Sequence, residues 1–252
     1  MGVVRRVTFK DHFSQVAAGY AAHRPVYPLE LVQRLAALVR TPELAWDAGC
    51  GSGQLSRQLA DRFQRVVATD ASSAQIAAAP AHPRIEYRLE RAEESGLRAR
   101  SVDLCAAAQS AHWFDLDRYY AEVRRVSRPG GVIALVTYAW MSVGPEVDAV
   151  LAAFRHEIGP WWPPERQPVD ELYGALAFPF DEVEVAPLDM VARWTVADLA
   201  GHLATWSSSQ ALVRAEGPER LEALLKPLRE AWGEPASVRT VRWPLGMRVG
   251  RV

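Results

Sequence analysis

Trp46-Asp47-Ala48-Gly49-Cys50-Gly51-Ser52-Gly53-Gln54-Leu55 is the stretch on which the reading of this chain turns. The run Glu43–Ala48 is short and apolar and ends in a glycine cluster, which reads as a buried strand. Gln54–Arg62 reads as the helix that follows. Glycines between the two let the chain turn sharply and let a ligand approach the backbone closely. The free N–H groups of the helix N-terminus then face a polar or anionic ligand group. A dinucleotide fingerprint, G-x-G-x-x-G, is not met: counted from Gly49 the sixth residue is Gln54, and counted from Gly51 it is Ser56. What stands there is D-x-G-x-G-x-G, beginning at Asp47.

Strands and helices alternate on either side of this stretch. Residues 10–22 read as a helix stopped before Pro25, and Tyr27-Pro28 opens a second, with Leu31, Leu35 and Leu38 at helical spacing and Pro28 suited to its first position. Arg65–Thr69 is a second buried strand, followed by a helix over Ser72–Ala79, and Ile85–Leu89 is a third strand. Val102–Ala108 is the fourth. The helix after it carries Leu116, Tyr119, Tyr120, Val123 and Val126 on one face and stops at Arg128-Pro129-Gly130-Gly131. Val132–Tyr138 is a fifth strand, apolar on both faces. Such a pattern predicts a parallel sheet with helices on both sides.

The rhythm breaks after Tyr138. Residues 141–178 are rich in Trp and Pro and are expected to form a small helical cap inserted over the sheet. Asp181–Trp194 reads as a sixth strand, and Thr195-Val196-Ala197-Asp198 as a capping box ahead of an apolar stripe, Val196, Leu199, Leu203 and Trp206. A helix over roughly 218–232 and a final strand within Val238–Val249 complete a single domain spanning 1–252.

Composition narrows the function classes. The 252 residues carry a formal net charge of −1, which gives no general attraction to nucleic acid or to an anionic membrane. No apolar run approaches the length of a membrane span, and the N-terminus lacks the apolar core of a signal peptide. Cys50 and Cys105 are too few for a disulfide scaffold, so a reduced, cytoplasmic protein is expected. The six histidines are dispersed without metal-ligand spacing, so no metal is expected. Oligomeric state has no signature in the sequence.

Three further signals join the glycine stretch. Asp70 ends the second strand, 21 residues after Gly49, where a carboxylate accepts hydrogen bonds from ribose hydroxyls. Arg91-Ala92-Glu93-Glu94 follows the third strand, and Ala108-Gln109-Ser110-Ala111-His112-Trp113-Phe114-Asp115 closes the fourth. Together these resemble the class I S-adenosylmethionine (SAM)-dependent methyltransferases of the methyltransferase-11 type. Tyr20-Ala21-Ala22-His23-Arg24-Pro25-Val26-Tyr27-Pro28, the 108–115 stretch and Trp161-Trp162-Pro163-Pro164-Glu165-Arg166 are similar to the group that includes trans-aconitate and cantharidin methyltransferases. The resemblance covers residues 10–140 well and the remainder loosely.

It implies a Rossmann-like sheet of seven strands with the last one antiparallel, SAM as methyl donor and S-adenosylhomocysteine as product. It also implies that residues 10–40 cover the cofactor, Tyr20 and Arg24 closing over it with Arg24 near the methionine carboxylate. Asp47, Gly49, Gly51, Gln54 and Leu55 would hold its methionine part, Asp70 and Ala71 its ribose, Ala92 and Glu93 its adenine, and Ala108 and Gln109 would lie at the end of the fourth strand beside it. Trp113, Trp162 and Arg166 are candidates for contact with a small-molecule acceptor, Arg166 with a carboxylate in particular; core packing for the tryptophans and a surface role for Arg166 stand beside that reading. His112, the candidate catalytic residue, either orients the acceptor, takes its proton, or packs against the cofactor. A SAM-binding module without catalysis and a nucleotide-dependent oxidoreductase are the alternative functions.

Overall fold

The computed structural model describes residues 25–252; the helix expected over 10–22 lies outside them. Helix α1 (Leu29–Leu38) begins one residue later than its sequence implies. Pro28 is extended, at ψ 138°, and serves as the N-cap rather than the first helical residue. The alternation then runs β1 (Leu44–Ala48), α2 (Gln54–Ala60), β2 (Arg65–Asp70), α3 (Ser73–Ala78), β3 (Ile85–Leu89), β4 (Val102–Ala108), α4 (Leu116–Val126) and β5 (Ser127–Tyr138). Arg128-Pro129-Gly130-Gly131 does end α4, but the chain enters β5 there directly instead of making a separate turn. A register shift between Val102 and Leu104 on the paired strand absorbs the irregularity.

Strands β1 to β5 pair in parallel, in the order β3-β2-β1-β4-β5. Their side chains alternate between two cores, as the period of a strand requires. Ala45, Leu104, Ala106, Val132, Ala134 and Val136 pack on one side with Leu31, Val32 and Leu35 of α1. Trp46, Ala48, Cys105, Ala107, Ile133 and Leu135 pack on the other with Tyr119, Tyr120, Val123 and Val126 of α4. Both faces are covered, which is why these strands read as continuous apolar runs.

The second half completes the sheet and builds above it. After β5 come α5 (Pro145–Ile158), short 3-10 turns at Gly159–Trp161 and Pro164–Arg166, the one-turn α6 (Gln167–Asp170), β6 (Asp181–Glu182), β7 (Asp189–Trp194), α7 (Val196–Ala204), α8 (Ser207–Glu216), α9 (Pro218–Trp232) and β8 (Arg239–Arg251). Strand β8 runs antiparallel to β5, Leu245–Arg251 facing Tyr138–Val132, as expected of the last strand. The sixth strand expected over Asp181–Trp194 is instead two pieces. β6 pairs with the end of β8 and β7 with its beginning, and seven residue steps from Glu182 to Asp189 oppose six from Gly250 to Pro244. That mismatch is a bulge, and it falls where Pro187 supplies no N–H to the ladder. With β6 and β7 taken as one bulged strand, the sheet has seven positions.

Residues 239–244 of β8 overshoot the carboxyl end of β5, and β7 pairs with them there. Helices α5, α7, α8 and α9 pack around one another beside this ribbon. The expected capping box is present at α7: the Thr195 hydroxyl accepts the Asp198 N–H, and the Asp198 carboxylate accepts the Thr195 N–H at 2.9 Å. Among the described residues no helix is long and apolar enough to cross a membrane. Thr195→Ala removes one half of the box and is expected to cost about 1 kcal/mol, read as a lower urea midpoint at unchanged m-value; no change in midpoint would show that the box does not stabilise the cap.

Candidate functional site

The junction of β1 and α2 takes its shape from three consecutive alternate glycines, all at positive φ. Gly49, at φ 67°, is fixed by a close approach as well: a Cβ there would stand 2.5 Å from the Ser110 Cβ, so only glycine lets the end of β4 close on the loop. Gly51, at φ 54°, is different. Its missing Cβ would meet nothing nearer than the Gln75 side-chain oxygen at 3.7 Å, so its open side is available to a ligand.

Asp70, at the end of β2, braces this loop. One carboxylate oxygen accepts the Gly51 N–H and the other the Ser72 N–H, both at 2.8 Å. Asp47 is fully buried beneath the loop, and the Ser56 hydroxyl donates to it at 2.5 Å. Burial raises its carboxyl from 3.8 to about 7; the Ser56 hydrogen bond opposes the rise and the Asp70 charge adds to it.

A cavity of about 260 Å³ opens at the carboxyl ends of the parallel strands, where an open α/β sheet binds its ligands. Twelve of the residues expected from sequence line it: Asp47, Gly49, Gly51, Gln54 and Leu55 from the first junction; Asp70 and Ala71 after β2; Ala92 and Glu93 after β3; and Ala108, Gln109 and Trp113 after β4. Glu93 also caps α4, accepting the Asp115 N–H at 2.9 Å. Tyr20 and Arg24 lie outside the described residues. His112, Trp162 and Arg166 do not reach the cavity wall. The Arg166 guanidinium donates to Asp170 at 2.8 Å and lies 4.1 Å over the Trp162 ring, while its neighbour Glu165 reaches the cavity instead.

His112 sits in the 3-10 turn Ala111–Trp113, behind the wall. Its Nδ1 lies 2.8 Å from the Tyr173 hydroxyl. Burial first, and then the Arg166 charge, lower its pKa from 6.5 to about 3, so the ring is neutral at ordinary pH. Beside it Gln109 holds a left-handed conformation, φ 53°, at the end of β4. Its side-chain oxygen accepts the Thr137 hydroxyl at 2.6 Å, and its amide donates to the Tyr138 carbonyl at 2.9 Å.

Sequence reasoning missed other wall residues. Ser110 and Phe114 lie inside the stretch already singled out after β4, and Glu90 and Arg91 adjoin Ala92, so proximity to a strand end was the available signal. Tyr138 closes β5 and belongs to the same rule. Tyr27 and Glu165 lie in two of the stretches already singled out by resemblance, and the packing of the chain ahead of α1 and of the 164–166 turn brings them in. Five carboxyl groups, Asp47, Asp70, Glu90, Glu93 and Glu165, face the space against a single arginine, Arg91, among the described residues. That lining favours a cationic ligand and opposes a pyrophosphate.

Comparison with known proteins agrees with this geometry. Residues 46–135 match the family model described as a methyltransferase domain. A Dictyostelium discoideum protein assigned as a methyltransferase is 32% identical over 248 residues, covering 95% of this chain and 94% of its own length. The structure of a protein assigned as a type II methyltransferase from Anaeromyxobacter dehalogenans is similar at 46% identity and TM-score 0.85, over 90% of this chain and 97% of that one. A malonyl-[acyl-carrier protein] O-methyltransferase of Serratia marcescens is 35% identical over 138 residues, 44% of this chain and 53% of its own length.

The buried Asp47 makes stability depend on pH with a definite sign. The folded chain binds this proton more tightly than the unfolded one, so the group's contribution is full below about pH 3.8 and is lost as the pH rises through about 7. Asp47→Asn is expected to remove the loss. Its unfolding free energy relative to the parent should rise between about pH 5 and about pH 8 by on the order of 2 kcal/mol, measured by urea denaturation without ligand. A difference that stays constant over that range would refute the assignment.

Proposed function

This chain belongs to the SAM-dependent methyltransferases, and from that premise we propose that it methylates a small molecule, with a carboxylate as the accepting group. The observation that carries the donor half is the acid-lined cavity at the strand ends, with Gly51 open towards it. The residues present fit SAM. Its ammonium and sulfonium are cations, and Asp47 is a buried carboxyl group whose recorded partner is Ser56. Asp47 would ionise against the ammonium, with Arg24 turned to the methionine carboxylate. Asp70 would accept from the ribose hydroxyls, followed by Ala71. Ala92 and Glu93 would flank the adenine, and Gln54 and Leu55 would open α2 beneath the methionine part, with Ala108 and Gln109 opposite.

When bound, the donor supplies a methyl group on a positively charged sulfur, which a nucleophile attacks in line. The chain's own task is to align the two reactants and exclude water. A carboxylate is already ionised at neutral pH and needs no base. That suits a β4 end whose histidine is neutral, weakly basic and engaged with Tyr173. The relative named for O-methylation of a malonyl group supports the same acceptor class, as do the stretches that resemble the trans-aconitate and cantharidin group. Trp113 would form one wall of the acceptor space. Arg166, which stands off the cavity wall over Trp162, would turn from Asp170 to meet the carboxylate.

Two measurements test the reading. By titration calorimetry SAM should bind and NAD should not, and Asp70→Ala should weaken SAM about tenfold, on the order of 1.4 kcal/mol; NAD binding without SAM binding would sink the donor assignment. S-adenosylhomocysteine release is then followed across a panel of small carboxylates, phenols and amines. Release with carboxylates is the expected outcome, release only with amines or phenols overturns the acceptor class, and tight SAM binding with no release on any compound makes the chain a binding module.

A further inference from the structure

Tyr173 has no part in the cavity wall, yet the structure goes to some length to place it. The side chain is fully buried. Leu172 and Tyr173 both adopt left-handed backbone conformations, φ 51° and 63°, a rare pair for residues with side chains. Two features of β8 hold this turn. Gly246 makes room for it, since a Cβ there would stand 2.5 Å from the Leu172 carbonyl oxygen. Arg248, two residues on, donates to the carbonyls of Tyr173, Gly174 and Leu176 at 3.2, 3.3 and 3.0 Å, and is itself anchored on Glu182. A strained turn held by neighbouring elements in this way marks a position whose geometry matters.

The result is a phenol hydroxyl delivered 2.8 Å from His112 Nδ1. The direction of that hydrogen bond follows from the acceptors within reach of the buried phenol proton. Among the described residues, His112 Nδ1 is the one acceptor within hydrogen-bond distance of this buried hydroxyl. The Thr137 hydroxyl is engaged elsewhere, donating to the Gln109 side-chain oxygen at 2.6 Å. Were Nδ1 protonated, the phenol proton would be buried without an acceptor, so it points at Nδ1.

We propose that Tyr173 is a positioning residue: by donating to Nδ1 it fixes His112 as the tautomer with its proton on Nε2, so that the histidine at the end of β4 is a hydrogen-bond donor and not a proton acceptor. The same bond ties the turn Ala111–Trp113, and with it the wall residue Trp113, to the segment that follows α6. The consequence for chemistry rests on the reading of the cavity as a methyl-transfer site: an acceptor there arrives already ionised. The tautomer itself does not depend on that reading.

Nitrogen-15 NMR of the full chain labelled in its histidines tests it without acceptor or turnover, the His112 signals being those lost in His112→Asn. The expected result is a protonated Nε2 and a bare Nδ1; a protonated Nδ1 in the parent chain overturns the proposal whatever the variants do. Tyr173→Phe removes only the hydroxyl and should bring in a measurable Nδ1–H population, with S-adenosylhomocysteine affinity changed by less than about twofold. Gly246→Ala displaces the turn without touching either ring and should give the same signature. An unchanged tautomer in a folded variant of either kind removes Tyr173 from the role.

Discussion

The hydrogen bond from the Gly51 N–H to the Asp70 carboxylate is the constraint from which the site follows. It ties the loop after β1 to the end of β2, while the bare Cα of Gly49 lets Ser110, after β4, close from the opposite side. The Ser110 hydroxyl completes the clasp by donating to the Ala48 carbonyl at 2.9 Å. Three strand ends are drawn together at one point, and the cavity is the space their loops leave above it. Each contact is short and local, but each joins segments far apart in sequence.

The cap depends on a different device. Strand β8 pairs with β5 in the core sheet and continues past it, so a single strand carries both a rung of the core and the ribbon beside which α5, α7, α8 and α9 pack. Aromatic rings fill that region. Trp206 stands edge-on to Trp140 at 4.9 Å and tilted against Trp162 at 5.6 Å, while Arg155 lies over Trp140 and Arg166 over Trp162. Planar guanidinium groups stack well on indole faces, which explains how arginines are accommodated beside so much apolar surface. The two tryptophans expected from sequence to contact an acceptor thus divide: Trp113 lines the cavity, and Trp162 packs with Trp206 beside it.

Charge follows burial in opposite directions at two places. Asp47 is held near neutrality by the loss of water, ready to ionise against a cation. His112 is kept neutral by the same loss and by a nearby arginine. One site is prepared for positive charge, and the other is relieved of it.

Much of this was legible in the chain itself. Asp47, the alternating glycines and Asp70 are close in sequence to the elements that position them, so spacing alone located the loop, its acidic brace and the parallel sheet. The capping box at Thr195 and Asp198 was equally local. The bulge between β6 and β7 and the overshoot of β8 were not legible, because each depends on which distant segments meet. The same holds for His112. Its sequence neighbours place it at a strand end, but its neutral state is decided by burial and then by Arg166, while Tyr173, 61 residues away, meets its Nδ1. The sequence by itself determined the backbone that receives a ligand, since backbone conformation is set by residue type over short spans. Only the tertiary structure decided what each polar side chain does there, since hydrogen-bond direction and burial are properties of the neighbours that folding brings together.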